Sequence, residues 1–365
     1  MKSRIKRIFS EVGEKADAAL FSYSAVRDYS FFYATGFVGG SFEGSIAIAH
    51  PDGNCSAIVP QLEGNTASRE NSQNKLQNNL QIYSGAKEYL ELMKKELKGV
   101  KKLGIDYSAI SVASFDRLKK EFSHLKFVDI SKEMREVKAI KDEIEIGRIK
   151  KAVGIAQTAL ERIIDGKIIR KGAREIDVAA EIGYEMQKLG GTASFPSIVA
   201  FGKNGAEPHY TTGNAKLKEN EMVLIDWGAK SQRYCSDMTR TFVFGRMNKA
   251  QQRMLEVVKD AQEVGFDLMV EGIDAGKVHA AVKEFIDQTE FKGKFIHATG
   301  HTLGLQVHDG KGLGGESFEL KENMVLTVEP GVYVKGVGGV RLEDDVVVKK
   351  NGIEKLSNRN KFFEL

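Results

Sequence analysis

Lys218-Glu-Asn-Glu-Met-Val-Leu-Ile-Asp226-Trp-Gly and, further along, Lys321-Glu-Asn-Met-Val-Leu-Thr-Val-Glu329-Pro-Gly are two versions of one phrase. In each, a polar start gives way to an apolar run that ends on a carboxylate, with glycine two places later. A short apolar run bounded in this way reads as a buried strand. A second acid follows each copy, Asp237 after the first and Glu343 after the second. Ahead of each copy lie two segments of helical periodicity, about 142–165 and 174–189 for the first and about 248–270 and 275–288 for the second. Two related halves, each delivering a pair of acids from strands, predict an α+β domain with an internal pseudo-twofold repeat and one shared site.

A carboxylate directly after Met-Val-Leu-Ile is expected to be buried, and a buried carboxylate needs a partner or a metal. Glu329 repeats the situation after Val-Leu-Thr-Val. A buried ion pair would also satisfy each acid, but that arrangement would have to arise twice in parallel. The histidines add to the pattern. His297, His301 and His308 fall in Phe295-Ile-His-Ala-Thr-Gly-His-Thr-Leu-Gly-Leu-Gln-Val-His-Asp, and His209 stands in Glu207-Pro-His-Tyr. His50, His124 and His279 read as ordinary surface or helix residues. Pro196, Pro208 and Pro330 lie beside the same segments and read as rigid turns. Four carboxylates with one imidazole make a hard, oxygen-rich donor set, which suits a bridged pair of manganese, cobalt, iron or zinc ions better than a structural zinc site. Such a pair lowers the pKa of a shared water. The helical His-Glu-x-x-His motif is absent.

The N-terminal part has a different texture. Ala18–Tyr23, Ser45–Ala49 and Ser56–Val59 read as strands, the last two joined by the turn Pro51-Asp-Gly-Asn. A helix over Tyr89–Leu97, a strand over Leu103–Tyr107, a helix over Val112–Phe122 and a strand over Lys126–Ile130 follow. This alternation predicts a small α/β domain around a mixed sheet. A long charged helix begins near Glu136, so the expected domains are 1–133 and 134–365. The basic start, Met1-Lys-Ser-Arg-Ile-Lys-Arg, reads as a short solvated tail.

With 42% hydrophobic and 28% charged residues, the chain lacks the signature of disorder. The net charge of +4 is spread through mixed-sign stretches rather than gathered into a basic stripe, which argues against a nucleic-acid partner. Two distant cysteines, Cys55 and Cys235, give no disulfide framework and fit a reducing compartment. No apolar run has the length of a membrane span, and the start lacks a secretory h-region. A cytoplasmic protein without a membrane partner is expected.

Taken with their order, the motifs Tyr234-Cys-Ser-Asp-Met-Thr-Arg-Thr, Gly300-His-Thr-Leu-Gly, Val307-His-Asp and Arg341-Leu-Glu-Asp resemble the methionine aminopeptidase, aminopeptidase P and prolidase family, whose catalytic domain has the pita-bread fold. The resemblance spans nearly the whole chain. It implies a metallo-exopeptidase that hydrolyses the Xaa-Pro bond of proline-containing peptides, with two divalent ions per chain, manganese or cobalt first, then zinc or iron. Asp226 would be a terminal ligand of one ion, and His301 and Glu329 would hold the other. Asp237 and Glu343 would bridge the two. Glu329 would also serve as general base toward the attacking water, and His308 would stabilise the oxyanion. His209 would position the substrate or leaving group, His297 would line the proline pocket, and Tyr333 and Arg341 would orient ligands or substrate.

Phe31-Phe-Tyr-Ala-Thr-Gly-Phe resembles the smaller N-terminal domain of the proline-specific branch, which implies a homodimer. The chain has Gly-His-Thr-Leu-Gly and Val-His-Asp where the family often has Gly-His-Gly-Ile-Gly and Val-His-Glu; no ligand is lost. The stretch His308-Asp-Gly-Lys-Gly-Leu-Gly-Gly offers Lys311 and no arginine, so Lys311 could contact a substrate carboxylate, though as a point charge on a flexible stem. Non-catalytic binding modules and a creatine amidinohydrolase share the fold, but they lack this five-ligand set.

Overall fold

The computed structural model describes residues 2–24, 26–314 and 317–357. The chain divides into two compact units, Met1–Lys138 and Ala139–Leu365, so most of the helix Ser131–Ala139 stays with the first.

In the first unit six strands form one sheet, in the order Asn79–Tyr83, Cys55–Pro60, Ser45–Ala49, Ala18–Tyr23, Lys102–Ile105, Lys126–Asp129. Ser45–Ala49 runs antiparallel to both its neighbours and the outer pairings are parallel, which is the mixed sheet expected. Ser45–Ala49 is buried at every position, so it carries a continuous rather than an alternating apolar pattern. The turn after it closes through His50 N–H to the Asn54 carbonyl at 2.9 Å, with Gly53 at φ +91°. Phe31, Phe32, Phe37 and Phe42 pack ring against ring beside the sheet.

One expectation fails here. The basic start is a helix, Lys2–Val12, and not a solvated tail. Ile5, Ile8, Phe9 and Val12 recur at helical spacing and are buried, so the apolar stripe outweighs the charge of the opposite face. Arg4 is buried with them, its guanidinium 5.3 Å from the centre of the Tyr33 ring.

The second unit contains the repeat. Its helix pairs are Glu143–Asp165 with Glu175–Lys188 and Lys249–Leu268 with Ala275–Asp287. The first helix of each pair opens on a capping box, Asp142 with Glu145 and Asn248 with Gln251, and this explains why both begin so sharply. Glu221–Trp227 pairs antiparallel with Met238–Phe244 and with Ile198–Phe201. Its counterpart Val325–Val328 pairs with Asp344–Lys349. The two halves meet at an isolated bridge between Thr239 and Glu343, where the Glu343 N–H donates to the Thr239 carbonyl at 3.1 Å. This junction carries the second acid of each repeat to one place. Among the described residues no helix is long and apolar enough to cross a membrane.

Candidate metal centre

Asp226 lies near the end of Glu221–Trp227, opposite Thr239 on the paired strand. Its neighbour Trp227 is buried and donates its indole N–H to the Ala156 carbonyl at 2.8 Å, which pins the strand end against the long helix. The glycine that follows is required by packing. A Cβ on Gly228 would stand 1.9 Å from the Ser236 carbonyl oxygen, one residue before Asp237. Gly300, just ahead of His301, is under the same constraint, 1.9 Å from the Thr327 carbonyl oxygen. The strands carrying the acids therefore approach backbone to backbone.

The five expected ligands converge. Asp237, His301 and Glu343 each offer a donor atom within 4.8 Å of the others. His301 Nε2 stands 3.5 Å from both Asp237 Oδ2 and Glu329 Oε1. Its Nδ1 faces the Thr302 carbonyl at 3.3 Å. A carbonyl only accepts, so Nδ1 carries a proton and Nε2 is the ring nitrogen turned toward the carboxylates. Asp226 is near enough for its charge to act on Asp237 and Glu343, and its Oδ2 accepts from Arg341 Nη2 at 2.6 Å.

Electrostatics describe a site short of positive charge. Burial pushes Asp237 and Glu343 well above the ordinary carboxylate range, and repulsion from neighbouring acids adds to it. Asp226 is also raised by burial, with Arg341 opposing the shift. Oδ1 of Asp226 and Oδ1 of Asp237 are buried and accept no hydrogen bond. Clustered carboxylates with such orphaned oxygens match what a hard divalent cation requires.

A polar chain leads from this cluster to the outer histidines. Arg341 is almost fully buried and donates to Asp226, to Thr239 Oγ1 at 3.0 Å and to the Tyr333 hydroxyl at 2.9 Å. The Tyr333 oxygen lies 2.8 Å from His297 Nε2, and His297 Nδ1 lies 2.8 Å from the Ala298 carbonyl. Nδ1 must donate to that carbonyl. Burial lowers the His297 pKa and so favours the neutral ring, in which Nε2 accepts the Tyr333 proton. Burial raises Tyr333 to about 12. His308 is more exposed, its ring 4.0 Å from that of His301, and burial followed by His301's charge lowers its pKa. His209 lies exposed on the loop after the short helical turn Gly202–Ala206, close enough for its charge to depress His297 and His308. Lys311 packs on an aromatic ring. Its ammonium sits 4.8 Å from the centre of the Phe318 ring, an attraction that competes with any substrate carboxylate.

Residues that no sequence motif singles out support the ligands. Asp345 is fully buried and accepts the Asp237 N–H at 3.1 Å. Thr239 Oγ1 donates to Glu343 at 2.7 Å, and Thr327 Oγ1 donates to Glu329 at 3.1 Å. His279, expected to be an ordinary helix residue, has Nδ1 2.9 Å from Thr299 Oγ1, and the Thr299 carbonyl accepts the Glu329 N–H at 2.8 Å. The acidic run Glu343-Asp-Asp ahead of three valines was the one available hint.

Comparison with known proteins agrees with this architecture. Residues 147–350 match metallopeptidase family M24, and residues 4–140 match the creatinase/prolidase N-terminal domain. An Xaa-Pro dipeptidase of Pyrococcus horikoshii is 33% identical over 301 residues, 82% of each chain. A putative dipeptidase of Bacillus subtilis is 30% identical over 96% of each. Among solved structures, an Xaa-Pro dipeptidase from Bacillus anthracis aligns with a TM-score of 0.89 at 28% identity, covering 99% of both chains. An X-Pro aminopeptidase from Thermotoga maritima gives 0.87 at 28% identity, covering 96% of this chain and 98% of that one. The chain belongs to metallopeptidase family M24, and within it to the metallo-exopeptidase branch that carries a creatinase/prolidase N-terminal domain.

Proposed function

We propose that this enzyme uses two divalent ions to hydrolyse the Xaa-Pro bond of proline-containing peptides, as an Xaa-Pro aminopeptidase or Xaa-Pro dipeptidase. The observation that carries the reading is the buried constellation of Asp226, Asp237, His301, Glu329 and Glu343, with carboxylate oxygens that no protein donor satisfies. Asp226 would hold one ion, His301 and Glu329 the other, and Asp237 and Glu343 both. Manganese or cobalt suits this set first, with zinc or iron as alternatives. When bound, the ions supply an activated water and neutralise charge that develops on the scissile carbonyl oxygen.

The chain's own residues do the rest. Glu329 is the least buried of the four carboxylates, its side chain 17% exposed, and it is the one placed to take a proton from the attacking water. His308, neutral and at the open side, donates to the developing oxyanion. His297 has no proton on the nitrogen that faces Tyr333, so it offers an uncharged ring face to the proline. His209 reaches over the site from its loop to position the substrate or leaving group. Two free, buried cysteines accord with work in the cytoplasm, and the proposal includes a homodimer.

The test combines metal analysis of the purified protein with a panel of Xaa-Pro dipeptides and Xaa-Pro-Yaa tripeptides, assayed with manganese and with cobalt. Two equivalents of metal and cleavage before proline are expected. A protein that retains no metal, or that leaves every proline peptide intact while cleaving others, would overturn the reading.

A further inference from the structure

The segment that carries His209 is tied down by one residue far from it in sequence. Glu175 begins the helix Glu175–Lys188 and is completely buried, an unusual setting for a carboxylate. Its two oxygens take four hydrogen bonds. Oε1 accepts from the Phe201 N–H at 2.8 Å and from Asn204 Nδ2 at 2.8 Å. Oε2 accepts from the Tyr210 hydroxyl at 2.9 Å and from the Gly213 N–H at 3.2 Å. Asn204 Nδ2 is also 2.9 Å from the Tyr210 hydroxyl, which closes the network on itself.

The donors are distributed in a telling way. Phe201 and Asn204 precede His209, and Tyr210 and Gly213 follow it. One carboxylate therefore gathers both arms of the loop, and the exposed histidine is left at its tip. Placement at a helix N-terminus favours the negative charge. Hydrogen bonds to an ionised acceptor are the strong kind, and a fully satisfied buried network holds one geometry rather than several. The same loop touches the metal side of the site, because the Pro208 carbonyl lies 3.4 Å from Arg341 Nη1. A solvated or aliphatic residue at position 175 would take the shared acceptor away from the Phe201 and Gly213 N–H groups and the Tyr210 hydroxyl, and would leave Asn204 only its contact with Tyr210.

We propose that Glu175 is a positioning residue for peptide cleavage: by clamping both arms of the 201–213 loop it fixes His209 over the substrate. The proposal rests on the reading of His209 given above. It assigns Glu175 no contact with substrate or metal.

The experiment compares Glu175→Gln, Tyr210→Phe, His209→Ala and the Glu175→Gln/His209→Ala double variant in the full-length, manganese-loaded enzyme. Glutamine keeps the size but turns two donors toward donors, so it opens the clamp without leaving a cavity. Amide hydrogen exchange should rise at Phe201 and Gly213 in Glu175→Gln, with metal content unchanged. Its kcat/KM on Xaa-Pro-Yaa peptides should fall about tenfold or more, in the same parameter, kcat or KM, that His209→Ala affects. In the His209→Ala background the same change should add less than about twofold, because the two residues act as one unit. Tyr210→Phe, which removes one of the four donors, should give a smaller defect of the same kind. Unchanged loop exchange, or defects that multiply in the double variant, would overturn the proposal, since a merely structural residue would act independently of His209. If His209→Ala alone is kinetically silent, the reading of His209 fails, and that result is obtained without reference to Glu175.

Discussion

Arg341 Nη2 donates to Asp226 Oδ2 at 2.6 Å, and both residues are buried. Arg341 is the cation hydrogen-bonded to Asp226, and its charge is felt at Asp237 and Glu343 as well. Removing one partner of a buried pair leaves the other uncompensated, at a cost of about 3–5 kcal/mol. Arg341→Met should therefore destabilise the metal-free protein by roughly that amount, read as a lowered denaturant midpoint in the presence of chelator. Added metal should recover part of the loss, because the ions replace the missing positive charge. A midpoint equal to that of the parent protein would show that Asp226 does not depend on Arg341 for neutralisation.

The proposed bridging acids give a sharper test of the ligand assignment. Loss of Asp237 or Glu343 would open coordination at both ions and leave their mutual repulsion less compensated. Asp237→Ala and Glu343→Ala are expected to abolish turnover and to reduce metal content measured on the purified protein. A variant that keeps two tightly held ions and normal activity would sink the assignment.

Much of this site is readable in the chain because strand chemistry is local. An acid at the end of Met-Val-Leu-Ile, with glycine after it, announces burial and close backbone approach in a few residues. The helices of the repeat announce themselves through capping boxes for the same reason. Other features depend on contacts between remote residues. Asp345 matters because its oxygen meets the Asp237 N–H across 108 positions, and Glu175 because a loop returns to it. Nothing near either residue foretells this. At the N-terminus the charge of Lys2, Arg4, Lys6 and Arg7 drew the reading away from the Ile5, Ile8, Phe9 and Val12 stripe between them. The helix Gln61–Gln73 is polar along much of its length and offers little periodicity to read.

Asp28, in the first unit, makes stability depend on pH. Burial raises its pKa to about 7, and its Oδ1 accepts the Ser30 N–H at 2.8 Å. Folding then takes up a proton between the unfolded value of 3.8 and about 7. The sign follows: this contribution is complete below the unfolded value and is lost as pH climbs through 7. By linkage it amounts to at most about 4 kcal/mol. Asp28→Asn keeps the acceptor and removes the titration. Its melting temperature relative to the parent should rise between pH 5 and pH 8. An equal difference at the two pH values would mean that Asp28 is not the group responsible.

His308 should act on the rate rather than on binding. Its ring lies against His301 at the open side of the constellation and is held neutral near pH 7, so it can donate to an oxygen that gains charge during the reaction. Removing one such donor commonly costs about a hundredfold or more in kcat. His308→Ala is expected to show that loss with KM altered less than about threefold. If KM alone changes, His308 is a substrate-binding residue and the oxyanion role belongs elsewhere.

Substrate length is decided by whether a free proline carboxylate finds a cation. A strict dipeptidase needs a group fixed to receive it, and a bidentate arginine does this best. The arginines beside the constellation are already committed, Arg240 to Asp344 at 2.7 Å and Arg341 to Asp226 at 2.6 Å. Lys311 follows His308, but its ammonium lies over the Phe318 ring, and its backbone is fixed to Thr302 at 2.7 and 2.9 Å. Recruiting it would forfeit the ring contact and would still supply only a point charge on a flexible stem. A peptide bond in place of the carboxylate, as in Xaa-Pro-Yaa, asks for no such cation. Tripeptides should therefore be cleaved with kcat/KM comparable to or above that for Xaa-Pro dipeptides, measured side by side with the same metal. A preference for dipeptides beyond about a hundredfold, or roughly 2.7 kcal/mol of discrimination, would require a carboxylate clamp outside these residues and would reverse the expectation.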